Sequence, residues 1–96
     1  GVISMTQTLA AEYGKHGIRV NCIAPGHVRT PIPEALYKGR EEIRAAQNRI
    51  IPVGRWGEPE ELGRVAVFLS CDASSYVTGQ TIVVSGGMTY FLTKLP

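Results

Sequence analysis

The chain has 96 residues, of which 44% are hydrophobic and 19% charged, a composition typical of a folded domain and not of a disordered segment. Its formal net charge is only +2, with acidic and basic residues interleaved, so the sequence disfavours a nucleic-acid-binding surface. No apolar stretch approaches the ~20 residues of a membrane-spanning helix, and the first residues lack the features of a signal peptide, so we expect a cytoplasmic protein without a membrane partner.

The first predicted element is a helix over residues 2–13. Its larger apolar residues recur at spacings of three and four, which is one stripe of a 3.6-residue period: Val2, Met5, Leu9 and Tyr13. Gly14 is placed to end the helix with a positive φ. The stripe predicts a face packed in the core, with a contact to another subunit as the alternative.

A strand is predicted next, over residues 18–24. The stretch is rich in β-branched residues, and Ile18, Val20 and Cys22 alternate with their neighbours, which predicts one well-covered face. Pro25 and Gly26 end the strand in a rigid corner. A hairpin would need a matching strand soon afterwards, and none follows, so this corner needs another explanation.

Residues 34–50 predict a looser helix that is interrupted at Gly39 and dominated by charges. The pair Glu34–Lys38 stands in the favourable order for an (i, i+4) ion pair, whereas Arg40 and Arg44 repel each other. Two interpretations stay open for this segment, a mobile lid and a plain surface helix.

A stronger helix is predicted over residues 59–71. Pro59 suits the first helical position, and Glu60 and Glu61 complement the positive end of the helix dipole. An apolar stripe follows at helical spacing: Leu62, Val65, Ala66 and Leu69. Residues 80–87 then predict a short buried strand closed by two glycines, and the apolar tail after it is expected to dock on another surface, such as a second subunit.

The two cysteines, Cys22 and Cys71, form no C-x-x-C pair, and His16 and His27 do not stand at zinc-ligand spacing from them. We therefore expect no metal site. The simplest interpretation is two small buried thiols in a reducing compartment, although a disulfide is possible in principle.

Two strands joined by helices run parallel and need neighbours in a sheet, because a two-stranded parallel sheet cannot cover its own edges. The order helix, strand, two helices, strand therefore predicts an α/β fold that is incomplete on its own. We expect its missing strands to come from residues before Gly1.

The chain resembles the short-chain dehydrogenase/reductase family. Three stretches carry the resemblance: GVISMTQTLAAEYGKHG, IRVNCIAPGHVRT and GRWGEPEELGRVAVFLSCDASSYVTGQTIVVSGG. It implies that residues 1–96 form the C-terminal part of a single NAD(P)-binding, doubly wound parallel-sheet (Rossmann) domain. The ending GGMTYF is similar to that of glucose and other sugar dehydrogenases and of 3-oxoacyl reductases of the family. The resemblance to the family also implies that Arg19 and Asn21 brace the first strand. One position departs from the family's usual pattern, since Ser85 stands where the family usually has Asp.

The resemblance also implies a site for NAD or NADP just after the first strand, where ligands of such folds bind. Val28 would pair its backbone N–H and carbonyl with the nicotinamide carboxamide, and Thr30 would add its hydroxyl or N–H. Pro25 would stiffen this approach and Gly26 would let the backbone come close without a Cβ. His27 would face the substrate. The alternative is an ordinary surface turn.

The function implied is that of an NAD(P)-dependent oxidoreductase that interconverts an alcohol and a carbonyl in a small molecule. This chain would supply the nicotinamide-side wall and the substrate rim of a homotetramer. The resemblance places the catalytic Ser and Tyr-x-x-x-Lys before the opening helix, so no catalytic residue is predicted within the chain. The alternative is a non-catalytic oligomerisation or interaction fragment, which buries helices 2–13 and 59–71 and the tail against partners.

Overall fold

The structure is a computed structural model that describes residues 1–31 and 36–88. Its elements in chain order are helix α1 (Val2–Tyr13), strand β1 (Cys22–Pro25), helix α2 (Glu41–Ile50), helix α3 (Pro59–Leu69) and strand β2 (Thr81–Val84). This order of helix, strand, two helices and strand confirms the prediction. Within the described residues, no helix combines the length and the apolar character that crossing a membrane requires.

The chain divides into two compact units. The first unit comprises Gly1–Ala24 and Gly63–Val83, and the second comprises Pro25–Leu62 and Val84–Pro96. Each unit joins two stretches that are distant in the sequence. Long-range contacts therefore hold each of them together.

Helix α1, in the first unit, has the predicted bounds but buries other residues than predicted. Its buried side chains are Thr6 and Ala10, whereas Val2 and Met5 of the apolar stripe are 60% and 56% exposed. The prediction that this stripe lies in a core is therefore wrong for Val2, Met5 and Tyr13, which are exposed, while Leu9 is half-buried.

The helix also ends differently from the prediction. Gly14 has φ −56° and begins a 3₁₀ turn over Gly14–His16, so it needs no positive φ. The chain reverses at Gly17, where φ is +76°.

Strand β1 is shorter than predicted because the residues before it bond to a turn. The N–H of Val20 donates to the Thr78 hydroxyl at 3.0 Å, and its carbonyl accepts from the N–H of Gly79 at 2.7 Å. Arg19 and Asn21 both donate to the carbonyl of Val77, at 3.1 and 3.0 Å. The expectation that these two side chains brace the strand is thus confirmed, while Ile18, 48% exposed, shows no well-covered face.

Strands β1 and β2 form a two-stranded sheet. In the first unit, the N–H of Cys22 donates to the carbonyl of Gln80 at 2.9 Å, and in the second, the N–H of Gly26 donates to the carbonyl of Val84 at 2.9 Å. Both partners advance by four residues between these bonds, which is the pattern of parallel strands. The parallel pairing is confirmed, but the strand predicted as buried is only half-buried, and its Val83 is 50% exposed.

A small apolar core lies in the second unit. Ile51, Trp56 and Met88 are 3%, 6% and 9% exposed, with Tyr37 packed against them. The predicted break at Gly39 is confirmed by its φ of +79°, and α2 begins only after it. The predicted helical segment at 34–35 and the tail at 89–96 lie outside the described residues.

Helix α3 begins at Pro59 as predicted and ends at Leu69, two residues early. Its apolar stripe is half-buried except for Ala66, which is exposed. Both cysteines are free thiols, and Cys22 is half-buried while Cys71 is exposed. The expectation of two buried thiols is therefore wrong, because Cys71 lies just beyond the end of α3.

Candidate functional site

The candidate site lies in the second unit, where β1 ends. Pro25 is the last residue of the strand, and a Cβ built on Gly26 would lie 2.9 Å from both Cα and Cβ of Ser85. Real Cβ atoms essentially never approach so closely, so this position requires glycine. The sequence predicted that Gly26 leaves room for a cofactor, and the structure adds a packing reason that sequence alone did not reveal.

Val28 follows in an extended segment that pairs with Gly57 in a parallel bridge. The N–H of Gly57 donates to the carbonyl of His27, and the N–H of Arg29 donates to the carbonyl of Gly57, both at 2.9 Å. In such a bridge the partner bonds the flanking residues, so the N–H and carbonyl of Val28 itself point away from Gly57. Neither has a hydrogen-bond partner among the described residues. One residue therefore presents a donor and an acceptor side by side.

His27 belongs to a cluster of side chains around an aromatic ring that the sequence did not predict. Its ring centroid is 5.2 Å from that of Trp56, at an interplanar angle of 55°. Tyr37 meets the Trp56 ring edge-on at 5.7 Å, and the guanidinium of Arg44 lies 5.0 Å from the Trp56 centroid. We call His27, Tyr37, Arg44 and Trp56 the aromatic cluster. Its sequence signal is slight, namely the chain's single tryptophan just before Gly57.

A cavity of about 140 Å³ opens beside this segment. Of the five predicted site residues, His27 and Val28 line it, together with Ser85 and Gly86 from the end of β2. Thr30 is exposed and is not among the lining residues described. The structure thus places two of the five predicted site residues at one cavity, whereas Pro25, Gly26 and Thr30 are not among the residues that line it.

The acidic side chains that line this cavity are paired. Glu61 accepts two hydrogen bonds from Arg55, at 2.7 and 2.9 Å, and one from the N–H of Glu58 at 2.9 Å, which caps the start of α3. The hydrogen bond to Glu61, aided by its charge, raises the pKa of Arg55 above its usual value. Glu58 pairs with Arg29 at 3.2 Å. Among the described residues, no three potential ligands from His, Cys, Asp and Glu group as a metal site would require.

No catalytic residue was predicted within the chain, yet one Tyr-x-x-x-Lys spacing does occur, at Tyr90 and Lys94. It follows Gly86-Gly87, whereas the resemblance places the family's catalytic pair before the opening helix. The pair lies outside the described residues. The other tyrosines have no Lys four positions later: Tyr13, Tyr37 and Tyr76.

Comparison with known proteins gives matches along nearly the whole chain. The family model described as enoyl-(acyl carrier protein) reductase matches residues 1–89. The chain is 50% identical over 91 residues to 3beta-hydroxysteroid dehydrogenase 1 of Eggerthella lenta, covering 95% of the chain and 34% of that protein. It is 48% identical over 88 residues to 3-oxoacyl-[acyl-carrier-protein] reductase FabG of Thermotoga maritima, covering 92% of the chain and 35% of that protein.

Solved structures give the same result. The 3-oxoacyl-[acyl-carrier protein] reductase of Brucella melitensis superposes with a TM-score of 0.83 at 42% identity. The match covers 91% of this chain and 31% of that one. One further solved neighbour contains NADP, and another contains NADH. The chain therefore spans about a third of the length of its relatives. These matches confirm the predicted resemblance and α/β fold, and they do not confirm a C-terminal position within such a protein.

Proposed function

Because the chain belongs to the short-chain dehydrogenase/reductase family, we propose that it is part of an NAD(P)-dependent oxidoreductase that interconverts an alcohol and a carbonyl. The observation that carries this proposal is the pair of main-chain groups on Val28, which the bridge to Gly57 leaves without partners among the described residues. The dehydrogenase and reductase names of the relatives, and the NADP and NADH in solved neighbours, support it.

The residues after β1 fit a nicotinamide cofactor. A carboxamide carries one donor group and one acceptor, and Val28 offers the complementary carbonyl and N–H on a single residue. Their direction is fixed twice, by the two hydrogen bonds of Gly57 and by the packing of Gly26 on Ser85. When bound, the cofactor supplies or accepts the hydride.

This chain contributes positioning. Val28 orients the carboxamide, Thr30 adds a hydroxyl beside it, and His27 faces a small alcohol or ketone substrate. Holding reacting groups in a productive geometry is itself a large part of catalysis. The proton is exchanged by a tyrosine with a lowered pKa that another part of the whole protein supplies.

Thr30→Val in the whole protein tests the cofactor role. We expect NAD(P)H binding to weaken by about 1–3 kcal/mol, because the bound carboxamide would lose the hydrogen bond from the Thr30 hydroxyl and be left without that partner. Fluorescence titration with NADH and NADPH measures it. Val28→Ile is the matched control and changes little, since Val28 acts through its backbone. Unchanged affinity and rate in Thr30→Val contradict the proposal.

A second candidate function, as an oligomerisation module, is favoured by the exposed apolar face of α1. Val2, Ile3 and Met5 are 60%, 51% and 56% exposed, and an apolar patch of this kind marks an interaction surface. In this proposal the face joins subunits of a homotetramer. The cofactor site and this contact are compatible, since they use different residues.

Met5→Glu in the whole protein tests the subunit contact. A charge placed in an apolar interface is costly, so we expect a lower mass in light scattering after size-exclusion chromatography. Gln7→Glu adds the same charge on another side of the helix, where Gln7 is exposed, and leaves the mass unchanged. An unchanged mass for Met5→Glu would rule out a subunit contact at this position.

A further inference from the structure

We propose that Trp56 is a positioning residue for residues 27–29, the segment that pairs with the cofactor. The inference deepens the proposed function and rests on it. The sequence offers no reason to single out this side chain. Among the described residues, Trp56 makes no hydrogen bond to Val28 or to Thr30.

Trp56 reaches the segment by two routes. Its indole ring packs against the imidazole of His27, with 5.2 Å between centroids. Through the chain, it fixes Gly57, which donates to the carbonyl of His27 and accepts from the N–H of Arg29, both at 2.9 Å. The residues on both sides of Val28 are therefore tied to the Trp56–Gly57 pair.

Trp56 is itself firmly held. It is 6% exposed, in a core with Ile51 and Met88. Tyr37 packs edge-on against its ring, and the guanidinium of Arg44 lies 5.0 Å from its centroid. Both arrangements are favourable geometries for aromatic rings.

No hydrogen bond of its own side chain holds the indole, because its Nε1–H is buried without an acceptor among the described residues. A phenylalanine at this position would consequently lose no hydrogen bond and would keep an aromatic ring. A leucine would lose the ring contacts with His27, Tyr37 and Arg44. The two replacements therefore separate the ring's role from general hydrophobicity.

The consequence for function lies in the direction of the Val28 main-chain groups. A loosened Trp56 lets Gly57 shift, and the two bonds that set the plane of the Val28 peptide shift with it. A cofactor amide needs both groups at hydrogen-bond distance at once. In variants that loosen Trp56, cofactor affinity should therefore fall by more than their loss of folding stability alone would explain.

The test compares three variants of the whole protein in NAD(P)H titrations: Trp56→Leu, Trp56→Phe and Asn21→Ala. We expect Trp56→Leu to raise the Kd about tenfold, equivalent to ~1.4 kcal/mol. Trp56→Phe should stay within about twofold of the unaltered protein. Asn21→Ala removes hydrogen bonds to Val77 and Gln80 within the first unit and leaves the core around Trp56 unaltered, so it lowers the melting temperature but not the affinity. An unchanged Kd in Trp56→Leu, or an equal rise in Asn21→Ala, overturns the proposal.

A second measurement needs no cofactor. In the unaltered protein, the ring of Trp56 should shift the His27 ring protons in the NMR spectrum, and this shift should vanish in Trp56→Leu and persist in part in Trp56→Phe. Absence of the shift from the unaltered protein overturns the proposal, even where Trp56→Leu does not fold. If the unaltered protein binds neither NADH nor NADPH, the proposed function itself fails, and this inference fails with it.

Discussion

The described parts of the two units differ in whether large apolar side chains form a buried cluster. In the second unit, Ile51, Trp56 and Met88 bury one another to 9% exposure or less. In the described part of the first unit, Val67 and Phe68 stay 68% and 44% exposed. An apolar stripe in the sequence therefore identifies a face, while the rest of the fold decides whether that face is covered.

The first unit relies instead on polar contacts to the main chain. Asn21 donates to the carbonyl of Val77 and accepts from the N–H of Gln80, at 3.0 and 3.1 Å. Arg19 donates to the carbonyls of Val77 and Cys71, at 3.1 and 3.3 Å. Hydrogen bonds of this kind each add about 0.5–1.5 kcal/mol net. We therefore expect substitutions that disturb packing to cost the most stability in the second unit, and substitutions that remove hydrogen bonds to cost the most in the first.

The largest expected effect is a packing change in the second unit. Gly26→Ala places a Cβ 2.9 Å from the backbone of Ser85, and relieving such overpacking costs about 3 kcal/mol. Urea unfolding of the whole protein measures the loss. If Gly26→Ala were as stable as the unaltered protein, the tight packing assigned to the second unit would be wrong.

A smaller loss is expected from a hydrogen-bond change in the first unit. Asn21→Ala removes two contacts to the turn before β2, so we expect a loss of about 1–2 kcal/mol in the same unfolding measurement. Asn21→Asp keeps the acceptor for Gln80 but turns a carboxylate oxygen toward the carbonyl oxygen of Val77, so its loss should be at least as large as that of Asn21→Ala. Equal stability of all three proteins would mean that these contacts do not hold the first unit.

The smallest expected effect is a gain in stability at Gly14, whose surroundings contrast with those of Gly26. Gly14 has a helical φ of −56°, and a Cβ there would meet nothing within 4 Å. Gly14→Ala should therefore stabilise the protein by about 0.5 kcal/mol, because alanine restricts the unfolded chain. A higher melting temperature checks it. A loss comparable to that of Gly26→Ala would show that the first unit is as tightly packed there as the second.

Much of the fold was readable from local signals. Pro59 and the two glutamates after it marked the start of α3, and Gly39 marked the break before α2, because both depend on backbone geometry at the residue itself. The ends of β1 and α1 were less predictable. The residues before β1 bond to a turn almost sixty positions away, and no local pattern reports such a partner.

The site was predicted in outline. The sequence singled out the segment from Pro25 to Thr30, and the structure places His27 and Val28 at a cavity. It gave no hint that Ser85 packs on Gly26 or that Trp56 supports His27. Those contacts join residues 59 and 29 positions apart, so they exist only once the chain has folded.

By itself, the sequence determined the order of the elements, the parallel pairing of two strands and the family of the protein, since each depends on residue types at fixed spacings. Only the tertiary structure decided which faces are buried, why Gly26 must be glycine and which way the main-chain groups of Val28 point. Burial and direction depend on distant partners, and their positions are set by packing in three dimensions.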